Sequence, residues 1–216
     1  ILGRIGSGKS TRARRLSAIK QLYRFAFDEG WRSDNPAVQI AGPGQDKRLP
    51  KTLTYSEVDA LLAAAQKTGR SETDKARNTC LMQLLYATGM RVSELVGLPV
   101  NATRGDPRMI LVQGKGGKER MVPLSPPAQT ALATWLRHRD TLEEAAKAKG
   151  RAASPFLFPS RGATGHLTRH RFYLLIKEFA ASAGIPPHKV TPHTMRHAFA
   201  THLLAGGADL RAIQTL

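Results

Sequence analysis

Apolar residues recur at helical spacing along most of the chain. After Gly8, one stripe is formed by Leu16, Ile19, Tyr23, Ala26 and Phe27. Basic residues lie largely off it, which predicts an amphipathic helix with a basic outer side. The same period predicts further helices around residues 54–62, 80–88, 91–97, 127–139, 168–183 and 194–204, and the start of another at 209.

Local signals predict where several helices begin and end. Thr54 and Glu57 have the spacing of a capping box, in which each side chain accepts a hydrogen bond from the other residue's backbone amide. Gly89 and Gly97 follow the last apolar positions of their segments. Both predict a helix end, because glycine is the commonest residue just beyond a helix.

One segment has the pattern of a β-hairpin instead. Two extended runs rich in Val, Ile, Leu and Met, RMILVQG and ERMVPL, flank GKGGK, which predicts a glycine-rich, cationic tip. The sequence contains no internal repeat. The predicted fold is therefore mainly α, of the α+β class, with one small antiparallel hairpin or sheet.

A change in composition divides the chain into two parts. Residues 41–53, AGPGQDKRLPKTL, are rich in Gly, Pro and Lys without any period, as expected for an exposed linker. We interpret residues 1–40 as the C-terminal part of a helical domain, because one or two helices are too small to bury a core. Residues 54–216 form the second predicted domain.

The charge of the chain indicates its partner. Its 216 residues include 33 Lys and Arg against 16 Asp and Glu, which gives a net charge of +17 and an isoelectric point near 10.8. Such an excess favours association with polyanions, of which nucleic acid is the commonest. No apolar run is long enough to span a membrane, and the single Cys80 fits a reducing cytoplasm.

The first residues suggest a different function. GRIGSGKS has the spacing of the phosphate-binding loop of nucleotide hydrolases, from Gly3 to Ser10. That loop requires a preceding buried strand and a parallel sheet in which strands alternate with helices. The remaining sequence predicts no such sheet, so the nucleotide-hydrolase interpretation is disfavoured.

Three segments carry residues suited to a phosphodiester. ATGMRVSELVGL presents Arg91 after a helix end, GKGGKER places Lys115 at the hairpin tip, and PHTMRHAF places His193 and Arg196 on one helical face. Guanidinium groups bind phosphate oxygens bidentately, while Lys and His can transfer protons. Taken singly, each residue is more typical of an ordinary surface charge, so the interpretation depends on their combination.

The spacing of the histidines raises a metal site as an alternative. His193 and His197 are four residues apart, as are His166 and His170, and such pairs can bind zinc from one helical face. However, Arg196 beside His193 would repel a cation, and the glutamate of the zinc-protease motif is missing. We therefore expect neither a metal nor another cofactor.

The combination is similar to the tyrosine recombinase (phage integrase) family, and within it to the bacterial Xer recombinases. Three motifs carry the resemblance in this order and spacing: ATGMRVSELVGL, GKGGKERMVPL and PHTMRHAFATHLLAGGADLRAIQ. ARRLSAIKQLYRFAFDEGWRSDNP also resembles the last helices of the family's core-binding domain, so the resemblance extends over nearly the whole chain. It implies a site-specific recombinase that cuts and rejoins DNA through a 3′-phosphotyrosyl intermediate.

The resemblance implies roles for individual residues. Arg91 and Arg196 match the two arginines that neutralise the scissile phosphate in the transition state, without a metal. Lys115 matches the hairpin lysine that protonates the departing 5′ oxygen, and His193 matches the histidine that assists proton transfer. Glu94 is expected to orient Arg91 or to cap the local turn.

The resemblance also implies partners. The expected assembly is a C-shaped clamp on double-stranded DNA, acting as a tetramer with a homologous sister recombinase. A septal DNA translocase is a further expected partner, in the cytoplasm, with chromosome dimer resolution as the role. We expect DNA contacts from the basic side of the first helix and from the hairpin, at Arg12, Arg15, Lys20, Lys118 and Arg120.

The chain departs from the family pattern near its C-terminal end. The family continues with a second His or Trp and then the tyrosine nucleophile. The tyrosines here all precede Arg196, in helical contexts typical of packing: Tyr23, Tyr55, Tyr86 and Tyr173. We therefore expect a portion of a longer enzyme, with a non-cleaving DNA-binding module as one alternative. The integrase of a mobile element is another, although the closeness of the motifs favours the Xer group.

Overall fold

The computed structural model describes residues 8–43, 52–106 and 108–207, which contain seven α-helices and one two-stranded antiparallel sheet. The helices are α1 (Lys9–Asp28), α2 (Tyr55–Lys67), α3 (Glu72–Thr88), α4 (Val92–Val96), α5 (Pro126–Lys147), α6 (Arg169–Ser182) and α7 (Pro192–Ala205). The strands are β1 (Met109–Gln113) and β2 (Glu119–Pro123). Single 3₁₀ turns lie at Val100–Thr103, Lys115–Gly117 and Pro187–Lys189. The predicted fold class is confirmed.

The chain divides into two compact units, Ile1–Lys51 and Thr52–Leu216. The first unit contains α1, in which Leu16 is buried and Ile19, Tyr23 and Ala26 are half-buried, as the predicted stripe requires. Phe27 departs from the stripe, since it lies in the last turn of the helix and is 48% exposed. Within the predicted linker, residues 44–51 lie outside the described part of the chain.

The predicted helix boundaries are confirmed where local caps specify them. Thr54 and Glu57 form both hydrogen bonds of the capping box at the start of α2. Gly89 ends α3 in the left-handed conformation with a φ of 56°, and Gly97 follows the last residue of α4. These ends depend on neighbours in sequence, which explains why the sequence alone predicts them.

Helix α5 differs from the prediction, since it continues eight residues beyond residue 139 to Lys147. The added residues DTLEEAAK carry Glu, Ala and Lys, which favour helix, but they show no apolar stripe and leave Leu142 exposed. Hydrophobic periodicity therefore misses this part of the helix. The helix predicted from residue 209 lies outside the described residues.

The predicted β-hairpin is confirmed, with Ile110 paired to Val122 and Val112 paired to Arg120. Because side chains alternate across a strand, these four residues share one face of the hairpin. Ile110, Val112 and Val122 are all buried, so this face is the one that packs on the core. Its turn contains Gly116 and Gly117, with φ values of 75° and 76°.

The nucleotide-hydrolase interpretation finds no support in this sheet. The strands described here are antiparallel, whereas that fold requires a parallel sheet. Residues 3–7 of the glycine-rich motif lie outside the described part of the chain. Among the residues that the structure does describe, no helix is both long and apolar enough to cross a membrane.

Helix α3 lies at the centre of the second unit and packs against α2, α5 and α7. It buries residues on several sides, and the surrounding apolar core includes the large side chains Phe158, Phe172 and Phe179. Trp135 of α5 stacks on Phe158 and donates its indole N–H to the Leu157 carbonyl at 3.0 Å. The core thus holds the end of α3, where Arg91 follows, in a fixed position.

Candidate active site

A close contact between Gly89 and Phe199 joins the end of α3 to α7. A Cβ atom at Gly89 would lie 2.2 Å from Phe199 Cδ1, so no larger residue fits there without a shift, and the positive φ favours glycine as well. Arg91 lies two residues after Gly89, and Arg196 lies three residues before Phe199. This contact therefore brings two distant segments, each with a predicted arginine, to one place.

Arg91 is the N-cap of α4 and binds Glu94 twice. Its backbone amide donates to Glu94 Oε2 at 2.8 Å, and its Nη1 donates to Glu94 Oε1 at 2.9 Å. The Glu94 side chain is 6% exposed and that of Arg91 is 54% exposed. Glu94 therefore both caps the turn and orients the guanidinium, while much of Arg91 stays accessible.

Arg120 of β2 binds the same carboxylate from the hairpin. Its Nη2 lies 2.9 Å from Glu94 Oε2 and its Nη1 lies 3.4 Å from Oε1, in a two-pronged arrangement. Only 19% of the Arg120 side chain is exposed. Glu94 is thus held between α4 and the hairpin.

Arg196 of α7 completes a group that we call the active-site cluster, Arg91, Glu94, Arg120 and Arg196. Burial lowers the pKa of Arg196, the positive charges of Arg91 and Arg120 lower it further, and Glu94 opposes the shift. Arginine nevertheless stays charged in proteins. Three guanidinium groups and one carboxylate leave an excess of positive charge, which suits an anion such as phosphate.

The ionisation of Glu94 depends on its arginine neighbours. Burial acts to raise its pKa, but hydrogen bonds from Arg120 and Arg91 outweigh burial and bring the pKa below its ordinary value. The carboxylate is therefore ionised at neutral pH and accepts from both guanidinium groups.

His193 lies in the first turn of α7 and is exposed. Thr191 caps this helix by accepting from the Thr194 amide at 3.1 Å, which fixes the direction of its first turn. Since His193 and Arg196 are three residues apart, they share one side of the helix. The exposed His193 and the half-buried Arg196 thus belong to the same side of α7.

Lys115 and Lys118 lie on either side of the glycines in the hairpin turn. The Gly114 amide donates to the Lys118 carbonyl at 2.7 Å, which closes the base of the turn. Lys118 is exposed, whereas the side chain of Lys115 lies outside the described part of the structure. The backbone of Lys115 is therefore placed at the tip, as the sequence predicts.

Contacts between His202 and two tyrosines anchor the C-terminal end of α7. The ring of His202 stacks on Tyr55, with ring centroids 3.8 Å apart, and its Nδ1 lies 2.9 Å from the Tyr86 hydroxyl. Tyr55 also donates its hydroxyl to the His202 carbonyl at 3.2 Å. Two of the tyrosines thus pack and form hydrogen bonds around a histidine, as their helical context predicts.

The other predicted DNA-contact residues lie on α1, in the first unit. Arg15 is exposed, and Arg12 and Lys20 are half-buried. In the same unit the Arg32 guanidinium lies 5.6 Å from the ring centroid of Tyr23. α1 therefore presents a basic side, as predicted, which belongs to a different unit from the active-site cluster.

The histidine pairs do not form a metal centre in the described ranges. No group of three or more potential ligands among His, Cys, Asp and Glu side chains gathers there. His166 Nδ1 lies 2.8 Å from the Leu167 carbonyl, and His197 is exposed.

The bond between Glu94 and Arg120 was not predicted from the sequence, which assigned Arg120 to DNA. The two residues are 26 positions apart, so no local motif connects them. The alternation along ERMVPL could have indicated it, because a residue two positions before the buried Val122 shares its inward face. An arginine on a buried face requires an acidic or carbonyl partner.

Comparison with known proteins agrees with this geometry. Residues 51–216 match the phage integrase family. The chain is 49% identical over 215 residues to the tyrosine recombinase XerD of Caulobacter vibrioides, covering 100% of this chain and 68% of that protein. It is 45% identical over 223 residues to the tyrosine recombinase XerC of Erythrobacter litoralis, covering 100% of this chain and 68% of that relative.

A solved structure shows the same architecture. The XerH site-specific recombinase bound to its difH substrate in a pre-cleavage complex aligns with a TM-score of 0.69 and 25% identity, over 97% of this chain and 58% of that one. The chain spans about two thirds of the length of the two curated relatives. The family match covers most of the chain and includes every residue of the active-site cluster. The chain belongs to the phage integrase family, among relatives that are tyrosine recombinases.

Proposed function

We propose that the full-length protein is a site-specific DNA recombinase of the Xer type, which cuts and rejoins strands through a 3′-phosphotyrosyl intermediate. The observation that supports this most strongly is the active-site cluster, in which Arg91 and Arg120 bind one carboxylate and the charge of Arg196 interacts with all three of these residues. Xer relatives with 45–49% identity support the same reaction class.

Arg91 and Arg196 are the proposed ligands of the scissile phosphate. The phosphate gains negative charge as the nucleophile adds, and guanidinium groups already in place stabilise that charge without reorganising. Glu94 holds Nη1 of Arg91 and more than half of the Arg91 side chain is exposed, so Arg91 can contact DNA and Glu94 together. This arrangement requires no metal ion.

Proton transfer is assigned to His193 and Lys115. The tyrosine nucleophile of the family forms a bond to phosphorus while the bond to the 5′ oxygen breaks. His193 takes up the phenolic proton and Lys115 gives a proton to the departing oxygen. In rejoining, a 5′ hydroxyl attacks the phosphotyrosine and both protons return.

DNA affinity is assigned to the basic surfaces of both units. Arg12, Arg15 and Lys20 on α1 and Lys118 on the hairpin are the proposed contacts to double-stranded DNA. Neutralising phosphates releases counterions, so such contacts give affinity that depends on salt and little on sequence.

Chromosome dimer resolution in the cytoplasm is the proposed role. The assembly would be a tetramer that pairs this XerD-like subunit with a XerC-like sister, with a septal DNA translocase as a further partner. An integrase of a mobile element would recombine two different sites without a sister recombinase. Strand exchange between two identical chromosomal sites that requires the sister subunit would therefore support the Xer role.

Trapping the covalent intermediate tests the proposed activity. A duplex target is first selected from a random-sequence pool by binding to the full-length protein. A nick is then placed near the cleavage point, so that the short cleaved piece diffuses away and the covalent intermediate cannot be rejoined. We expect a denaturation-resistant protein–DNA adduct that maps to a tyrosine and is lost in Arg91→Ala and Arg196→Ala. Tight binding without any adduct would instead identify a non-cleaving DNA-binding module.

A further inference from the structure

Arg120 connects the hairpin turn to the helix that follows Arg91. Besides its two bonds to Glu94, its guanidinium lies against the backbone of Gly114, where a Cβ atom would be 3.2 Å from Nη1. Gly114 directly precedes Lys115 and closes the base of the turn through its bond to Lys118. Arg120 therefore binds a fixed carboxylate and occupies the space beside the residue that precedes the proposed general acid.

We propose that Arg120 is a positioning residue for Lys115, not a contact to DNA phosphate. Its location supports this role, because it lies on the buried face of the hairpin, opposite Val112, with 19% of its side chain exposed. The outward face instead presents Leu111 and Met121. This role rests on the proposed recombinase function, since it concerns a step of that reaction.

The composition of the turn explains why it needs an anchor. Gly116 and Gly117 both have positive φ, and glycine loses more conformational freedom on ordering than any other residue. A turn of this kind is held by contacts at its base. Arginine suits the task because its planar fork can bind both oxygens of Glu94 while Nη1 lies beside Gly114.

The role predicts a specific kinetic signature. A misplaced general acid slows only the protonation of the leaving 5′ oxygen. In DNA with sulfur in place of the bridging 5′ oxygen, the thiolate leaves without protonation. Losing Arg120 should therefore slow cleavage of ordinary DNA and spare cleavage of the 5′-thio substrate, which a general structural defect cannot do.

The experiment measures single-turnover cleavage of both substrates by the full-length protein at saturating enzyme. We expect Arg120→Gln to slow cleavage of the 5′-oxygen substrate roughly 10²-fold, the size typical of a misplaced catalytic group, with little change on the 5′-thio substrate. Arg120→Lys keeps the positive charge but loses the two-pronged guanidinium. Its cleavage defect should therefore be smaller than that of Arg120→Gln, and it should again affect the 5′-oxygen substrate more than the 5′-thio substrate.

Arg108→Gln is the matched control. It removes the same charge near the start of the hairpin, where Arg108 is 77% exposed and pairs with Asp106 at 3.0 Å. We expect wild-type rates on both substrates. Thermal unfolding of each variant shows whether it folds, and Arg120→Lys provides the comparison if Arg120→Gln does not.

Other outcomes overturn the role. Equal slowing of both substrates, or no slowing, would mean that Arg120 does not act through Lys115. Weaker DNA binding with a salt slope reduced by about one would make it a phosphate contact instead. If the wild-type protein cleaves neither substrate, the recombinase function itself fails, which is a different result from any defect confined to the variants.

Discussion

The second unit contains two clusters built around arginine. They differ in how completely hydrogen bonds and ion pairs within the chain balance the arginine charge. Arg139 of α5 is 4% exposed, and it donates Nε to the Phe156 carbonyl at 3.1 Å and Nη2 to the Ser154 carbonyl at 2.6 Å. Ion pairs to Asp140 and Glu143, at 3.6 and 3.7 Å, balance its charge. Arg139 therefore holds the segment after α5 in place, and its positive charge is balanced by groups of the protein itself.

In the active-site cluster, by contrast, positive charge exceeds negative charge. Arg91 and Arg120 share Glu94 while the charge of Arg196 lies within its electrostatic influence, and Arg91 remains 54% exposed despite its bond to that carboxylate. The same residue type thus stabilises the fold where carbonyls and carboxylates match it, and forms the proposed phosphate site where positive charge is in excess. Stability and activity should accordingly respond to different substitutions.

The largest expected effect is on cleavage, from Arg196→Ala. Removing one preorganised group that stabilises transition-state charge typically costs about 10²–10³-fold in rate, and we expect at least this loss in single-turnover cleavage. DNA binding should change little. Arg137→Ala, at an exposed position of α5, is the control and should cleave normally.

Arg139→Met tests whether the buried arginine of α5 stabilises the fold. It leaves two carbonyls and Glu143 without their buried donor, and breaking such a group costs about 3 kcal/mol of unfolding free energy. We expect this loss in denaturant unfolding, with the cleavage rate of the folded protein unchanged. A stability like that of Arg137→Met would contradict the structural role of Arg139.

The pH dependence of stability sharpens the role of Glu94. Its pKa in the folded protein is below the ordinary value of 4.5, so its contribution is complete above pH 4.5 and is lost as the pH falls through the folded pKa. The stability difference between wild type and Glu94→Gln should be constant from neutral pH to about pH 4.5 and then shrink. A stability difference that does not shrink below about pH 4.5 would contradict this role of Glu94.

The smallest expected effect concerns a single phosphate contact on α1. Arg15→Gln should weaken DNA binding uniformly across sequences and reduce the slope of log Kd against log salt by about one. Arg104→Gln is the control, because Arg104 already pairs with Asp140 at 2.6 Å. An unchanged slope for Arg15→Gln would place this residue away from DNA.

The elements that the sequence predicted well are those with local signals. The capping box at Thr54, the stop at Gly89 and the glycine-rich turn each depend on residues a few positions apart. Arg91, His193 and Arg196 were found because their motifs resemble a known family. The end of α5 was missed, because helix propensity continues there without an apolar stripe.

The arrangement within the site could not be predicted in the same way. Glu94 and Arg120 meet only because the hairpin packs beside α4, and the end of α3 meets α7 through Gly89 and Phe199. Such contacts depend on tertiary packing between segments far apart in sequence. The sequence therefore identified catalytic candidates but assigned Arg120 to DNA, where the structure shows a bond to Glu94.

The central claim, that Arg196 neutralises a scissile phosphate, is tested most directly by removing the charge of that phosphate. Full-length Arg196→Ala is assayed on DNA whose scissile group is a neutral methylphosphonate. We predict that this variant, defective on ordinary DNA, forms the covalent adduct with the methylphosphonate substrate. Its transition state carries one fewer non-bridging negative charge, and the remaining charge can be neutralised by Arg91. An equal defect on both substrates would contradict charge neutralisation by Arg196.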